Sequence, residues 1–429
     1  MKRPQLSKHF KKRLPSAIRS AQIAFSERKD KEEIQVINLA IGNISLPMYP
    51  AMLKKMKQLG TELFSDGVVK YTSTVGTENA RKGFLNILEA SKIDTSNLFV
   101  NITDGGSSSM ELMMLGTSGP SSDKPIMLVD PAYTNYLEFA KRLNIPVITS
   151  NRKINRHGRF EKLDLSYIEK HIRKHKPASI IVIPYDNPTG QFLSQNMLIA
   201  IGKICVKHNI WFVSDEAYRP LFYLKEKSSS IWKITEKNVP GITGFRISIE
   251  SASKVWNACG LRIGGIITDN ENFHQKVISE YTANLCANTI GQEIFGVLAN
   301  EPHHKILKWY DKQINYYKSI LKYLELNLSI EIPGLIVTKP EAAIYFVIDF
   351  KNICSKNFDA QSFVEYCALK GKIEYKDMFY TLLLAPMEGF YSKKEYGKTQ
   401  LRMAIVESEE IMKKVPKILG MLFGSYENK

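Results

Sequence analysis

Cysteine is scarce in this 429-residue chain, and the five present, Cys205, Cys259, Cys286, Cys354 and Cys367, form no CxxC pair. They offer neither a disulfide scaffold nor zinc-ligand spacing, and reduced, mostly packed thiols are expected. Long apolar runs are missing too. Stretches such as SIIVIP at Ser179–Pro184 fall far below the ~18 residues of a membrane-crossing helix. No membrane partner is therefore expected. The basic opening stretch, MKRPQLSKHFKKRLPSAIRS, has no continuous apolar segment of the kind a secretory signal needs, so a cytoplasmic location is expected. Acidic residues are in deficit: 43 Asp and Glu against 59 Lys and Arg leave a net charge of +16. Clustered positive charge would suit nucleic acid. Here it is dispersed, and its one dense stretch, Lys2–Arg19, has few aromatics and matches no nucleic-acid module. A Lys-, Asn- and Ile-rich bias explains the charge more simply, and no nucleic-acid partner is expected.

What is present is ordinary globular usage, 44% hydrophobic and 24% charged, in a chain long enough for two or three domains at about 150 residues each. Between Ile102 and Thr268, short Ile- and Val-rich runs alternate with helical periodicity, the pattern of parallel strands joined by crossover helices. Strands are expected at Ile126–Val129, Pro146–Thr149, Ser179–Pro184, Ile210–Ser214, Phe245–Ile249 and Arg262–Thr268. Helices are expected near Ser108–Leu115, Tyr136–Leu143, Leu165–His175, Gln195–His208 and Asn272–Tyr281. The carboxyl-terminal third reads as a long polar helix near His304–Leu326 followed by alternating segments such as AAIYFVIDF and QLRMAIVES. The expected fold is α/β: a mostly parallel sheet sandwiched by helices, with a smaller α+β domain formed by both termini. Its divisions are residues 1–50 (the small domain's first segment), 51–310 (the large domain) and 311–429 (the rest of the small domain).

Three stretches at expected strand ends carry candidate chemistry, where open α/β sheets bind ligands. SASKVWNACGLRIG (Ser251–Gly264) sets one potential imine-forming amine, Lys254, between Ser251 and Arg262. YDNPTG (Tyr185–Gly190) offers the Asn187 amide, and SDEAY (Ser214–Tyr218) offers a carboxylate and a phenol three residues apart, Asp215 and Tyr218. Alone, each has a plain reading: a solvated lysine, an Asn-Pro turn, a polar loop.

Together, with 28 residues from Asn187 to Asp215 and 39 from Asp215 to Lys254, they resemble the class I and II aminotransferases among the fold type I pyridoxal-5′-phosphate (PLP) enzymes. The likeness runs from INLAIG to LRMAIV. It implies that Lys254 holds PLP as a Schiff base and moves the substrate α-proton, and that Asp215 pairs with the ring nitrogen. It further implies that Asn187 and Tyr218 bond the phenolic oxygen and that Tyr133, in DPAYTNY, stacks on the ring. Ser251, Arg262 and the pair Gly106 and Ser107 would take the phosphate, helped by a helix amino terminus. Tyr71 would reach the phosphate of a neighbouring subunit, which implies a homodimer. Arg402 would grip the substrate α-carboxylate through its planar fork. Gly42 would belong to a mobile substrate-covering segment, although Asn43, Ile44 and Ser45 depart from the acidic residue and proline usual there.

The resemblance implies transfer of an amino group from an amino acid to a 2-oxo acid, by a ping-pong route. Other PLP reactions share the same motifs: C–S lyase, cyclopropane-forming synthase, oxidase. A non-enzymatic regulator would need a DNA-binding module, for which the roughly 35 residues before VINLAIG are too few. His171 and His175, four apart on an expected helix, have no acidic or cysteine partner nearby in sequence and read as a surface pair, so no metal is expected.

Overall fold

The computed structural model describes residues 4–13 and 17–428. Its first strand, β1 (Ile34–Asn38), lies apart from seven that form one sheet: β2 (Phe99–Asp104), β3 (Ile126–Asp130), β4 (Val147–Asn151), β5 (Ser179–Val182), β6 (Trp211–Asp215), β7 (Arg246–Ser251) and β8 (Ile263–Thr268). The order is β2-β8-β7-β6-β5-β3-β4. β3, β5 and β8 are buried at every position, which is why they read as continuous apolar runs.

Six strands run in one direction, and β8 alone is antiparallel to both its neighbours. The expectation of parallel strands is corrected there for a local reason: no crossover helix separates β7 from β8, so the chain turns straight back. Lys254 lies on that return loop. β8 also starts at Ile263 rather than Arg262, because Arg262 has a left-handed backbone, φ 53°.

Helices cover both faces of the sheet. Gly264 and Gly265 are adjacent on β8 and so point to opposite sides. A Cβ on Gly264 would meet the Gly105–Gly106 backbone at the start of helix Gly106–Thr117, and one on Gly265 would meet the Phe84 ring of helix Glu78–Ala90. Crossover helices stop and start on local signals: the Ser194 hydroxyl accepts from Met197 N–H at the start of Gln195–His208, and Asn209 closes that helix at φ 52°.

Beyond the large sheet, helix His303–Glu331 runs for 29 residues, about 43 Å. It packs against helix Glu409–Glu427, where the Tyr323 hydroxyl donates to Lys413 O. The remaining strands are β9 (Ile336–Val337), β10 (Tyr345–Asp349), β11 (Ile373–Tyr375), β12 (Met378–Leu383), β13 (Ala385–Pro386) and β14 (Gln400–Ala404). They form two small sheets, β1-β12-β11 and β13-β14-β10-β9. β1 pairs in parallel with β12, Ile34 opposite Phe379, so a strand from the first forty residues completes a sheet made near the carboxyl end. Among the described residues no helix is long and apolar enough to cross a membrane, and no disulfide joins the five cysteines.

Candidate active site

The chemistry-bearing loops converge at one edge of the large sheet. Gly106 and Ser107 follow β2, Tyr133 follows β3, Asn187 follows β5, Asp215 ends β6, and Ser251 and Lys254 close β7; Arg262 precedes the reversed β8 and so lies at the same edge. All of them line a single cavity of about 340 Å³, joined by Tyr218, by Gly42 after β1 and by Arg402 from β14. Its walls carry four cations, Arg19, Lys254, Arg262 and Arg402, against one carboxylate, Asp215. Such a balance favours an anionic ligand.

The Lys254 amine donates to the Gly42 carbonyl. Gly42 has no room for a side chain: a Cβ there would stand 2.3 Å from the Tyr345 hydroxyl and 2.9 Å from Lys254 Nζ. The Tyr345 and Tyr218 hydroxyls share a hydrogen bond of 2.9 Å. Asn187 Nδ2 lies 3.4 Å from the Tyr218 hydroxyl, and Asn187 Oδ1 accepts from Arg402 at 3.0 Å. Arg402 also donates to the Ala40 carbonyl. Its guanidinium stacks 4.4 Å from the Tyr345 ring centroid, and its Nε has no partner. Arg402 is therefore a buried cation held only by neutral groups, in wait for an anion.

Asp215 is buried, and burial raises its carboxyl to about 6. Two hydrogen bonds oppose that rise: the Tyr136 hydroxyl donates to Oδ2 at 2.8 Å and Ala217 N–H to Oδ1 at 3.2 Å. A cationic ring nitrogen set against this carboxylate would favour its ionised form. Tyr133, part-buried above, has its hydroxyl pushed up to about 12 by burial.

At the opposite end, the amino terminus of helix Gly106–Thr117 has no acidic residue in its first turn, leaving free N–H groups and a positive dipole end. Gly105 takes φ 76°, and a Cβ on it would stand 2.5 Å from the Arg262 guanidinium. Arg262 is braced by the Cys259 and Asp104 carbonyls. Ser251 Oγ reaches Ser253 Oγ at 2.8 Å, and both serines line the cavity. This donor set suits a phosphate dianion, and the floor between it and Asp215 suits an aromatic ring, so the residues present fit PLP.

One site candidate falls outside this cavity. Tyr71 is 78% exposed, on the extended segment ahead of helix Glu78–Ala90. Several residues that line the cavity, or bond to its lining as Tyr136 does to Asp215, escaped sequence reasoning. Tyr136 stands one turn beyond Tyr133 in the quoted stretch DPAYTNY, so a spacing of three was the signal. Tyr345 lies in AAIYFVIDF, where alternation marks a strand but not a site. Arg19 and Cys259 carried no local signal. His171 and His175 stack 5.8 Å apart on helix Leu165–His175.

Loops gathered beyond the carboxyl ends of a mostly parallel sheet make this an α/β protein of the open-sheet class, in which ligands bind at that edge. The chain belongs to the aminotransferase class I and II family, whose model matches residues 34–379. Members of this family are PLP-dependent. Among curated relatives, a probable kynurenine–oxoglutarate transaminase of Saccharomyces cerevisiae is 24% identical over 59% of this chain and 56% of its own length. A cystathionine beta-lyase of Bacillus subtilis is 22% identical over 67% of this chain and 72% of its own length. The chain spans about half the length of the curated relatives it matches first. A solved structure of a Pyrococcus horikoshii kynurenine aminotransferase, in complex with PMP, superposes with a TM-score of 0.79 at 18% identity, over 98% of this chain and 97% of the other. At that identity the likeness shows the fold.

Proposed function

We propose that this protein is a PLP-dependent aminotransferase that moves an amino group from an L-amino acid to a 2-oxo acid. The observation that carries the reading is the joint placement of Lys254, buried Asp215 and unpaired Arg402 around one cationic cavity in a member of this family. PLP, when bound, supplies an aldehyde for amines and a ring that draws electrons from the substrate Cα. Asp215 would hold the ring nitrogen protonated, Asn187 and Tyr218 would donate to the phenolic oxygen, and Tyr133 would cover the ring. Gly106, Ser107, Ser251 and Arg262 would hold the phosphate. Arg402 takes the α-carboxylate through its free Nε and its fork. Lys254 Nζ, held at the Gly42 carbonyl in the same cavity, removes and returns the proton at Cα.

The partition into residues 1–50, 51–310 and 311–429 belongs to the same reading, supported by the pairing of β1 with β12. So does a homodimer. An apolar face beside the cavity supports it: Val68, Val69, Tyr71 and Leu285 are exposed, and the Thr74 hydroxyl ties the first segment to Leu285 O. Five cysteines without a disulfide among them support a reducing, cytoplasmic compartment.

The test is a panel of amino acids with 2-oxoglutarate while the cofactor spectrum is followed. Conversion to the pyridoxamine form, with borohydride fixing cofactor mass on Lys254 and none in Lys254→Ala, is the expected result. Pyruvate and ammonia released without an acceptor would replace transamination by elimination, the reaction type that the Bacillus subtilis relative's name suggests. A protein that stays colourless with added PLP would sink both.

A further inference from the structure

Tyr345 stands on β10, in the small sheet β13-β14-β10-β9, and lines the Lys254 cavity from outside the large sheet. It is 2% exposed. On the neighbouring strand β14, Arg402 pairs with Val347, so Tyr345, two residues along β10, is its diagonal neighbour on the same face. The two parts of the tyrosine meet different groups. Its ring lies 4.4 Å from the Arg402 guanidinium, which has Phe390 at 5.1 Å as a second aromatic neighbour. Its hydroxyl shares the 2.9 Å hydrogen bond with the Tyr218 hydroxyl.

Among the described residues this pair of hydroxyls has no acceptor outside itself, for Asn187 Nδ2, at 3.4 Å from the Tyr218 oxygen, is a donor. Two hydroxyls carry two protons, and the bond between them uses one. The other is free for a third group, and the place of that group decides which tyrosine supplies it. Burial holds the Tyr218 hydroxyl well above its ordinary value, so it stays a proton donor.

We propose that Tyr345 is a positioning residue with two duties: its hydroxyl commits the Tyr218 proton to the phenolic oxygen of PLP, and its ring holds the Arg402 fork for the substrate carboxylate. The assignment rests on the aminotransferase reading. With an anionic oxygen taking the Tyr218 proton, Tyr345 is left as the donor of the shared bond. A chain of donors in a buried site is stronger than its single bonds. It draws negative charge off the phenolic oxygen, charge that otherwise keeps a proton on Lys254 Nζ when that nitrogen is joined to PLP. Tyr345 thereby helps Nζ shed that proton, acting through Tyr218.

A pH titration of the visible absorbance of the full-length protein with bound PLP tests this apart from turnover. Tyr345→Phe keeps the ring and loses the hydroxyl. Its absorbance midpoint should lie about half a pH unit or more above the parent's, while KM for the amino donor moves less than about twofold. Tyr345→Leu loses both parts, so its midpoint should rise alike and KM should climb about tenfold, in line with a lost cation–π contact. In a Tyr218→Phe background, Tyr345→Phe should leave the midpoint in place, because the route through Tyr218 is gone. An undiminished rise in that background overturns the proposal. So does an unchanged midpoint in a coloured Tyr345→Phe, or in Tyr345→Leu should the first variant not fold, and this leaves the aminotransferase reading intact. An unchanged KM in Tyr345→Leu removes the ring's duty. A parent that stays colourless with PLP overturns the aminotransferase reading itself, and this assignment with it.

Discussion

Arg402 is held by the Asn187 side chain and the Ala40 carbonyl and by no carboxylate. A lysine there keeps the charge but loses the fork. Arg402→Lys should lower kcat/KM by about 10- to 100-fold, mostly through KM, in proportion to the loss of a charge-assisted bidentate contact worth roughly 1.5–3 kcal/mol. Steady-state kinetics on the best amino donor measure it, and an unchanged KM would remove Arg402 from the substrate. Asp215 makes a different prediction. Its carboxyl is raised from 3.8 to about 6 by burial, so the folded protein without cofactor holds this proton more tightly than the unfolded chain. Its stabilising contribution is complete below pH 3.8, falls as the pH climbs through about 6, and is level above. Urea unfolding of the cofactor-free protein should therefore show a downward slope between those values that Asp215→Asn flattens. Tyr136 tempers the effect by donating to Oδ2, a contact made when folding brings helix Thr134–Leu143 beside β6.

Among elements, the ends of the central strands are what position the site, and two contacts hold them. Gly264 lets β8 lie against the loop that starts helix Gly106–Thr117; a Cβ would stand 2.4 Å from Gly105 C and 2.5 Å from Gly106 N. Gly264→Ala should displace that loop at a cost of about 1–3 kcal/mol and speed cofactor release, read by urea midpoint and by loss of visible absorbance on dilution. The second contact is Arg219, buried between Glu216 at 2.8 Å and Glu250 at 2.9 Å, tying the end of β6 to the end of β7. Burial raises Glu250 to about 7 even so. Arg219→Met leaves two buried carboxylates unpaired and should lose about 3–5 kcal/mol at neutral pH. That loss should shrink as the pH falls below about 7 and Glu250 takes its proton, a trend that equilibrium denaturation at two pH values would show or refute.

At the scale of the whole molecule, the proposed homodimer predicts how its sites are shared. If Tyr71 of one subunit serves the phosphate end of the other, Tyr71→Ala and Lys254→Ala should each lower activity alone. Refolded together, they should recover part of it, because one site in each mixed dimer then has both native residues. No recovery in a mixture shown by mass to contain mixed dimers would confine each site to its own chain. The apolar exposure of Val68, Val69 and Leu285 predicts that light scattering gives twice the chain mass.

Read alone, the amino-acid order determined six of the seven strands of the large sheet to within a residue or two, all but β2, and the loops that bear Lys254, Asp215 and Asn187. Continuous apolar runs and turn residues are local signals, and motif spacing survives divergence. Tertiary structure decided the pairing of β1 with β12 and the meeting of Gly42, Tyr345 and Arg402 around one amine. Those partners lie far apart in the chain, and no local propensity encodes which distant strand will close a sheet or which carbonyl will face a lysine.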